Sequence, residues 1–89
     1  MDRNIVQIRG AHASIKWGYH VAATVAAWSF TGSGQGGTVS ATIETRDAFR
    51  LRQSPLVLVL MLDGLPVKWP VLGLDEDGPT VRVVVGPKD

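Results

Sequence analysis

The clearest pattern of apolar and polar positions in the chain lies between Pro55 and Val71, PLVLVLMLDGLPVKWPV. Two apolar runs flank Asp63-Gly64, a dipeptide that favours a two-residue type I′ turn because both of its positions need a positive φ. The pattern therefore predicts a β-hairpin in which Leu58 faces Trp69 across the two strands. Strand 56–62 is apolar on both faces, which is typical of a central strand covered on both sides.

The second strand of this hairpin carries prolines on its outer side. Counting from the turn, the backbone nitrogens of Pro66 and Pro70 point away from the partner strand. Proline has no N–H group, so a regular third strand cannot pair on that side. We therefore expect the stretch from Leu65 to Pro70 to be either a protected edge or the point where the sheet turns a corner.

Alternation with a period of two predicts the remaining strands. The predicted strand segments are 4–9, 11–20, 21–30, 38–45 and 80–85. In the second of them the odd-numbered residues from Ala11 to Tyr19 form the apolar face. Segment 21–30 is rich in alanine, which leaves a helix as its rival interpretation, but its β-branched and aromatic residues favour a strand. On that interpretation Thr24 and Ala26 share the buried face with Trp28 and Phe30.

The connecting segments are more ambiguous. Gly32–Gly37 is expected to be a hairpin loop, and Asp75–Pro79 a solvated turn. Segment 46–55 has two interpretations. It either continues as a strand, with Phe49 and Leu51 on one face, or forms a single helical turn.

Six or seven short antiparallel strands without a convincing helix predict a small closed or nearly closed β-barrel. SH3-like and OB-like barrels have this size, and a two-sheet β-sandwich is the alternative. A chain of 89 residues is expected to form one domain, spanning 1–89.

Composition excludes several classes of protein. With 45% hydrophobic and 19% charged residues, the chain is not expected to be disordered. It has no cysteine, so disulfides and cysteine-ligated metals are excluded. The N-terminus begins with charged residues and lacks a long apolar segment, which indicates a cytoplasmic protein. The apolar run before Asp63 is too short for a membrane helix, so we expect no membrane partner.

The sequence predicts no catalytic, cofactor or metal site. The glycine-rich loop Gly32–Gly37 lacks the Lys-Ser/Thr and the helix that a phosphate-binding loop needs. His12 and His20 alternate with Ser14 on one strand, but no further ligand or acid has suitable spacing. The acids in Asp75–Gly78 are fewer than an EF-hand loop requires. We therefore expect the protein not to be an enzyme.

Aromatic and basic residues are the remaining candidates. Tryptophan is common both in cores and at binding hot spots, and the chain has 3 of them. Three arginines surround Phe49, which is typical of single-stranded nucleic-acid binders, although a solvated face with Phe49 in the core is the simpler interpretation. The candidate interaction residues are Arg46, Arg50, Arg52, Phe49, Trp17, Trp69 and Lys68.

Together these patterns predict a non-catalytic β-barrel module that contacts another macromolecule, most simply a protein partner or a second copy of itself. A chain this small suits an accessory or assembly protein of the kind that phages and mobile elements encode. A nucleic-acid-binding barrel that uses the arginines is the second hypothesis. A small oligomeric enzyme with a site between subunits is the third.

Overall fold

The computed structural model describes residues 5–87 and shows a chain of β-strands with a single helical turn. The elements, in chain order, are β1 (Val6–Trp17), β2 (His20–Ser33), β3 (Gly36–Arg46), α1 (Ala48–Leu51), β4 (Val57–Leu62), β5 (Leu65–Asp77) and β6 (Thr80–Val85). Segment 21–30 lies within β2, so the strand interpretation is confirmed there. Asn4, where the first predicted strand begins, lies outside the described residues.

The strands form a closed ring of antiparallel pairs in the order β1-β2-β3-β6-β5-β4. β4 closes the ring on β1, with partners running from Ala13↔Leu60 to Lys16↔Val57. This closure confirms the predicted small antiparallel barrel, because two packed sheets of a sandwich would leave the ring open.

The hairpin of β4 and β5 has the predicted register, with Leu58 facing Trp69. Asp63 and Gly64 have φ values of 51° and 80°, the left-handed values that a type I′ turn requires. The turn residues therefore set the register, and the register places the apolar face of both strands towards the barrel interior.

β5 changes its partner along its length. Residues 65–70 pair with β4, and the residues from Val71 to Asp77 pair with β6. The register shifts between Val71 and Gly73, where an extra residue bends the strand. This bend follows Pro70 directly, so the predicted corner in the sheet is confirmed.

Small and medium apolar side chains fill the interior around two tryptophans. Trp28 lies over Gly10, where an added Cβ atom would overlap the indole ring, and Trp69 packs on Phe30 with ring centroids 4.9 Å apart. The buried apolar core consists of Ala13, Ile15, Ala22, Ala23, Val25, Trp28, Phe30, Val39, Ala41, Leu51, Leu56, Leu58, Leu60, Trp69, Val81, Val83 and Val85.

The alternation is interrupted within β1 and within β2, whereas segments 11–20 and 21–30 were each expected to keep one phase. Gly10 and Ala13 both face inward, because His12 between them has a φ of 66° and shifts the phase of the strand. Ala11 is consequently exposed. In β2, Val25 is buried and Thr24 is not, since the register with β3 shifts at this point.

Two connections also differ from the leading expectation. The chain after β3 forms the helical turn α1, the second of the two interpretations, with Leu51 buried. The acids of Asp75–Asp77 belong to β5, and the turn is confined to Gly78-Pro79. A two-residue turn suffices there because Gly78 adopts a φ of 61°.

Within residues 5–87 no helix has both the length and the apolar character needed to cross a membrane.

Candidate functional site: the aromatic end of the barrel

The turn between β1 and β2 presents aromatic side chains at one end of the barrel. Gly18 has a φ of 61°, so β1 reverses direction over Gly18-Tyr19 and places Trp17 opposite His20. Their rings stack with centroids 5.9 Å apart and planes 26° from parallel. Tyr19 occupies the tip of the turn and is 98% exposed.

The helical turn α1 is held against the same end. Its N-cap is Asp47, whose carboxylate accepts hydrogen bonds from the backbone N–H of Arg50 at 3.2 Å and from Nε of Arg50 at 3.0 Å. The backbone N–H of Asp47 donates to the carbonyl of Ala22 at 2.7 Å, which ties α1 to β2. Leu51 anchors the turn in the core, so Phe49 points outward and is 67% exposed.

Arg50 connects α1 to the turn between β1 and β2. Its guanidinium carbon lies 6.0 Å from the centroid of the Trp17 ring, within the distance at which a cation is attracted to an aromatic face. Pro55 lies across an open cavity of about 400 Å³ from Trp17, Tyr19 and His20. We call Trp17, Tyr19, His20, Phe49, Arg50 and Pro55 the aromatic end.

The predicted arginine strip does not form one surface. Nη1 of Arg46 pairs with Oε1 of Glu76 at 2.5 Å, and Nη2 donates to the carbonyl of Gly78 at 2.6 Å. Arg50 pairs with Asp47 beside Trp17, whereas Arg52 lines a different cavity with Glu76. Arg50 therefore lies apart from the other two arginines, whereas Arg46 and Arg52 share Glu76 as a neighbour, and only Arg46 is paired with it.

The other predicted site residues are divided between core and surface. Trp69 is 5% exposed and packs on Phe30, which makes it part of the core rather than of a contact surface. Lys68 is exposed on the part of β5 that pairs with β4. Phe49 is not in the core, because a helical turn rather than a strand carries it.

The structure thus brings Arg50 over Trp17, with Phe49 exposed directly before Arg50 on α1, and adds Tyr19, His20 and Pro55 around the cavity that Trp17 lines. The sequence signal for Tyr19 was its position directly after Gly18. A two-residue turn at Gly18-Tyr19 would have moved Tyr19 out of the alternation that predicted an inward side chain.

Among residues 5–87 no three His, Cys, Asp or Glu side chains are grouped closely enough to hold a metal ion. Comparisons with protein-family models, with curated proteins and with solved structures found no match to this chain.

Proposed function

We propose that the protein is a non-catalytic β-barrel module that binds another protein, or a second copy of itself, through the aromatic end. The observation that supports this proposal is the exposure of Tyr19 and Phe49 beside the contact between Arg50 and Trp17. Tyrosine, tryptophan and arginine are the residues most enriched at binding hot spots, where truncation of one side chain costs about 2 kcal/mol or more.

The anchoring of these side chains also favours binding. Phe49 is held on a capped turn whose Leu51 is buried, and Tyr19 lies on a tight turn between paired strands. Side chains on an ordered backbone lose less conformational freedom on association, and a preorganised surface binds more tightly for the same contacts.

Nucleic-acid binding is the second candidate, and the exposure of Phe49 directly before Arg50 in the chain favours it, because an exposed ring next to cations is suited to base stacking. The pairing of the arginines within the chain and the low net charge weaken this candidate. The guanidinium groups of Arg46 and Arg50 already pair with carboxylates of the same chain, and the net charge is +1.

The proposal also covers the type of barrel, the cellular compartment and the biological role. The size and strand number suit an SH3-like or OB-like barrel in the cytoplasm, acting as an accessory or assembly protein of phage or mobile-element type. In this role we expect assays for hydrolase activity to be blank, and turnover that His12→Ala or His20→Ala abolishes would contradict a non-catalytic module.

Site-specific photo-crosslinking in cells of the native host tests the proposed surface. A benzophenone amino acid replaces Tyr19 or Phe49 in two variants, and the exposed polar residue Thr31 of β2 in a control variant. We expect discrete protein adducts from the first two positions and none from Thr31. Equal adducts from all three positions, or none from any, would contradict the proposal.

Retention on immobilised DNA and RNA separates the two candidates. We expect no binding tighter than the nonspecific range near about 10⁻⁴ M at physiological salt. If binding is micromolar or tighter, if it weakens in Arg50→Ala and Arg52→Ala, and if its salt dependence flattens by about one ion per lost contact, nucleic acid becomes the preferred partner.

A further inference from the structure

β5 has a second open edge, on the side opposite to the prolines. β4 begins at Val57, opposite Pro70, and the last bond on this side joins the N–H of Val71 to the carbonyl of Leu56 at 3.0 Å, so from Leu72 onwards β5 pairs only with β6. The ladder between β5 and β6 ends at Asp77↔Thr80 beside the two-residue turn. The far side of β5 in this region therefore has no neighbouring strand among the described residues.

The hydrogen bonds of β6 show which N–H and C=O groups of β5 point to the open edge. The N–H of Ile43 in β3 donates to the carbonyl of Pro79 at 2.8 Å. Because bonding direction alternates along a strand, Val81 and Val83 bond to β3, whereas the residues between them bond to β5. The partners of Val81 and Val83 across β5 are Glu76 and Leu74, whose backbone groups consequently point to the open side.

The two open edges of β5 are built differently. On the edge from Leu65 to Pro70, Pro66 and Pro70 lack N–H groups and Lys68 lies between them, an arrangement by which sheets resist further pairing. The edge from Leu72 to Glu76 contains no proline, and apart from the ladder with β6 its N–H groups donate to, and its C=O groups accept from, no turn, loop or side chain within residues 5–87. Only the second edge is therefore suited to accept another strand.

A groove follows this second edge. It has a volume of about 440 Å³ and lies between β5 and the segment that joins α1 to β4. Leu51, Leu56 and Leu74 contribute apolar surface to it, while Leu72, on the same edge, is 69% exposed. The volume is within the range of pockets that bind small ligands or short peptide segments.

The charges of the groove are unbalanced. The carboxylate of Glu76 is paired with Arg46 at 2.5 Å. Arg52 also lines the groove, and it forms no ion pair with any residue in the range 5–87. The unmatched charge in the groove is therefore positive, which favours a ligand with an acidic side chain.

We propose that this edge binds an extended peptide segment of a partner protein by adding it as a strand to β5. Main-chain hydrogen bonds to Leu74 and Glu76 supply the pairing, apolar side chains of the peptide enter the groove at alternate positions, and one acidic side chain approaches Arg52. This site is separate from the aromatic end and does not depend on it.

A single peptide strand fits the site better than a second barrel does. In a two-fold dimer the β5 edges of two copies would pair with each other. In each copy, however, segment 52–56 lies beside that edge. That segment lies on the side of the edge that the other barrel would have to occupy. A peptide strand carries no such neighbouring segment, and it can enter the groove alone.

The test begins with a displayed library of random peptides about eight residues long, the length of a typical strand. We expect the enriched peptides to alternate apolar with polar residues and to contain one Asp or Glu.

The best peptide, synthesised with a fluorescent label, is then measured by fluorescence anisotropy. N-methylation at alternate backbone positions should weaken binding strongly, and methylation at the intervening positions should not. Failure to enrich any peptide, or equal sensitivity at all positions, would overturn strand addition.

Matched variants of the protein locate the site. Glu76→Pro and Glu76→Val both remove the carboxylate, but only proline removes the N–H group that points to the open edge. We expect the proline variant to bind roughly 2- to 12-fold more weakly than the valine variant, the loss of one net hydrogen bond. Arg52→Glu should select peptides with a basic residue in place of the acid, a result that does not depend on how well Glu76→Pro folds.

Two further results would overturn the proposal independently of the function proposed for the aromatic end. The double variant Tyr19→Ser/Phe49→Ser should bind the selected peptide as tightly as the unmodified protein does, and loss of binding in it would move the peptide to the aromatic end. A dimer in sedimentation experiments that Glu76→Pro dissociates would assign the edge to a second copy of the chain.

Discussion

Gly10 lies against Trp28, one of the two tryptophans of the barrel core, and replacing Gly10 with alanine tests the interior packing directly. Trp28 is 3% exposed, and a Cβ atom at Gly10 would overlap atoms of its six-membered ring. The backbone of Gly10 is not in the left-handed region, so the substitution adds no backbone strain. Any loss of stability in Gly10→Ala would therefore come from the displaced indole.

The expected magnitude follows from two opposing effects. Overpacking a filled core costs about 1–3 kcal/mol. Replacing glycine with alanine also stabilises the folded state by about 0.4–1 kcal/mol, because the unfolded chain loses conformational freedom. Gly34→Ala is the matched control, since a Cβ atom there meets nothing within 4 Å and the backbone is again not left-handed. The free energies of unfolding of the two variants should therefore differ by about 1–3 kcal/mol.

Urea unfolding followed by tryptophan fluorescence measures this difference, and thermal unfolding should show it as at least about 4 °C in midpoint. A Trp28→Phe background provides a second check, because the smaller ring leaves room for the methyl group and should reduce the cost of Gly10→Ala. If Gly10→Ala and Gly34→Ala differ by less than about 0.5 kcal/mol, Trp28 does not pack on Gly10. The assignment of inward-facing side chains on either side of His12 would then be wrong as well.

Three further substitutions test other parts of the fold. Gly64→Ala should lower the free energy of unfolding by about 1–2 kcal/mol, because the φ of 80° crowds a side chain; an unchanged thermal midpoint would contradict the turn geometry. The double variant Pro66→Val/Pro70→Val should self-associate more than the unmodified protein does in light scattering against concentration, because it restores donors on an open edge. Unchanged scattering would mean that another element covers this edge. Arg46→Ala should cost about 0.5–1 kcal/mol in urea unfolding, less in high salt, while Arg52→Ala should stay within about 0.5 kcal/mol, since Arg46 forms an ion pair within the described residues and Arg52 does not.

The parts of the fold that follow from the sequence are those with local causes. The turn at Asp63-Gly64 depends on the φ preferences of two adjacent residues, and it determines the register of β4 and β5 through pairs only a few residues apart. The corner after Pro70 follows from a missing N–H group, which is a property of the residue itself. Regular alternation in β3 and β6 similarly identified their buried faces.

The phase of β1 and β2 could not be derived in this way. A positive φ at His12 is uncommon for a residue with a side chain, and nothing adjacent in the sequence requires it. It is favoured here because it lets Gly10 and Ala13 both face a core in which Trp28 needs space. That space is created by residues of the opposite strand, so the cause is tertiary.

The same distinction between local and tertiary causes applies to the candidate sites. Residue type and alternation, which are local properties, were enough to predict short antiparallel strands that form a small barrel or a sandwich, and to name Trp17, Phe49 and Arg50 as candidates for contact. Which of these residues contact one another depends on how the strands are arranged in the ring. The tertiary structure placed Arg50 over Trp17, paired Arg46 with Glu76, buried Trp69 against Phe30 and opened the edge of β5 beside Arg52. These contacts join residues from different elements, and their distances depend on closure of the ring, which no local pattern specifies.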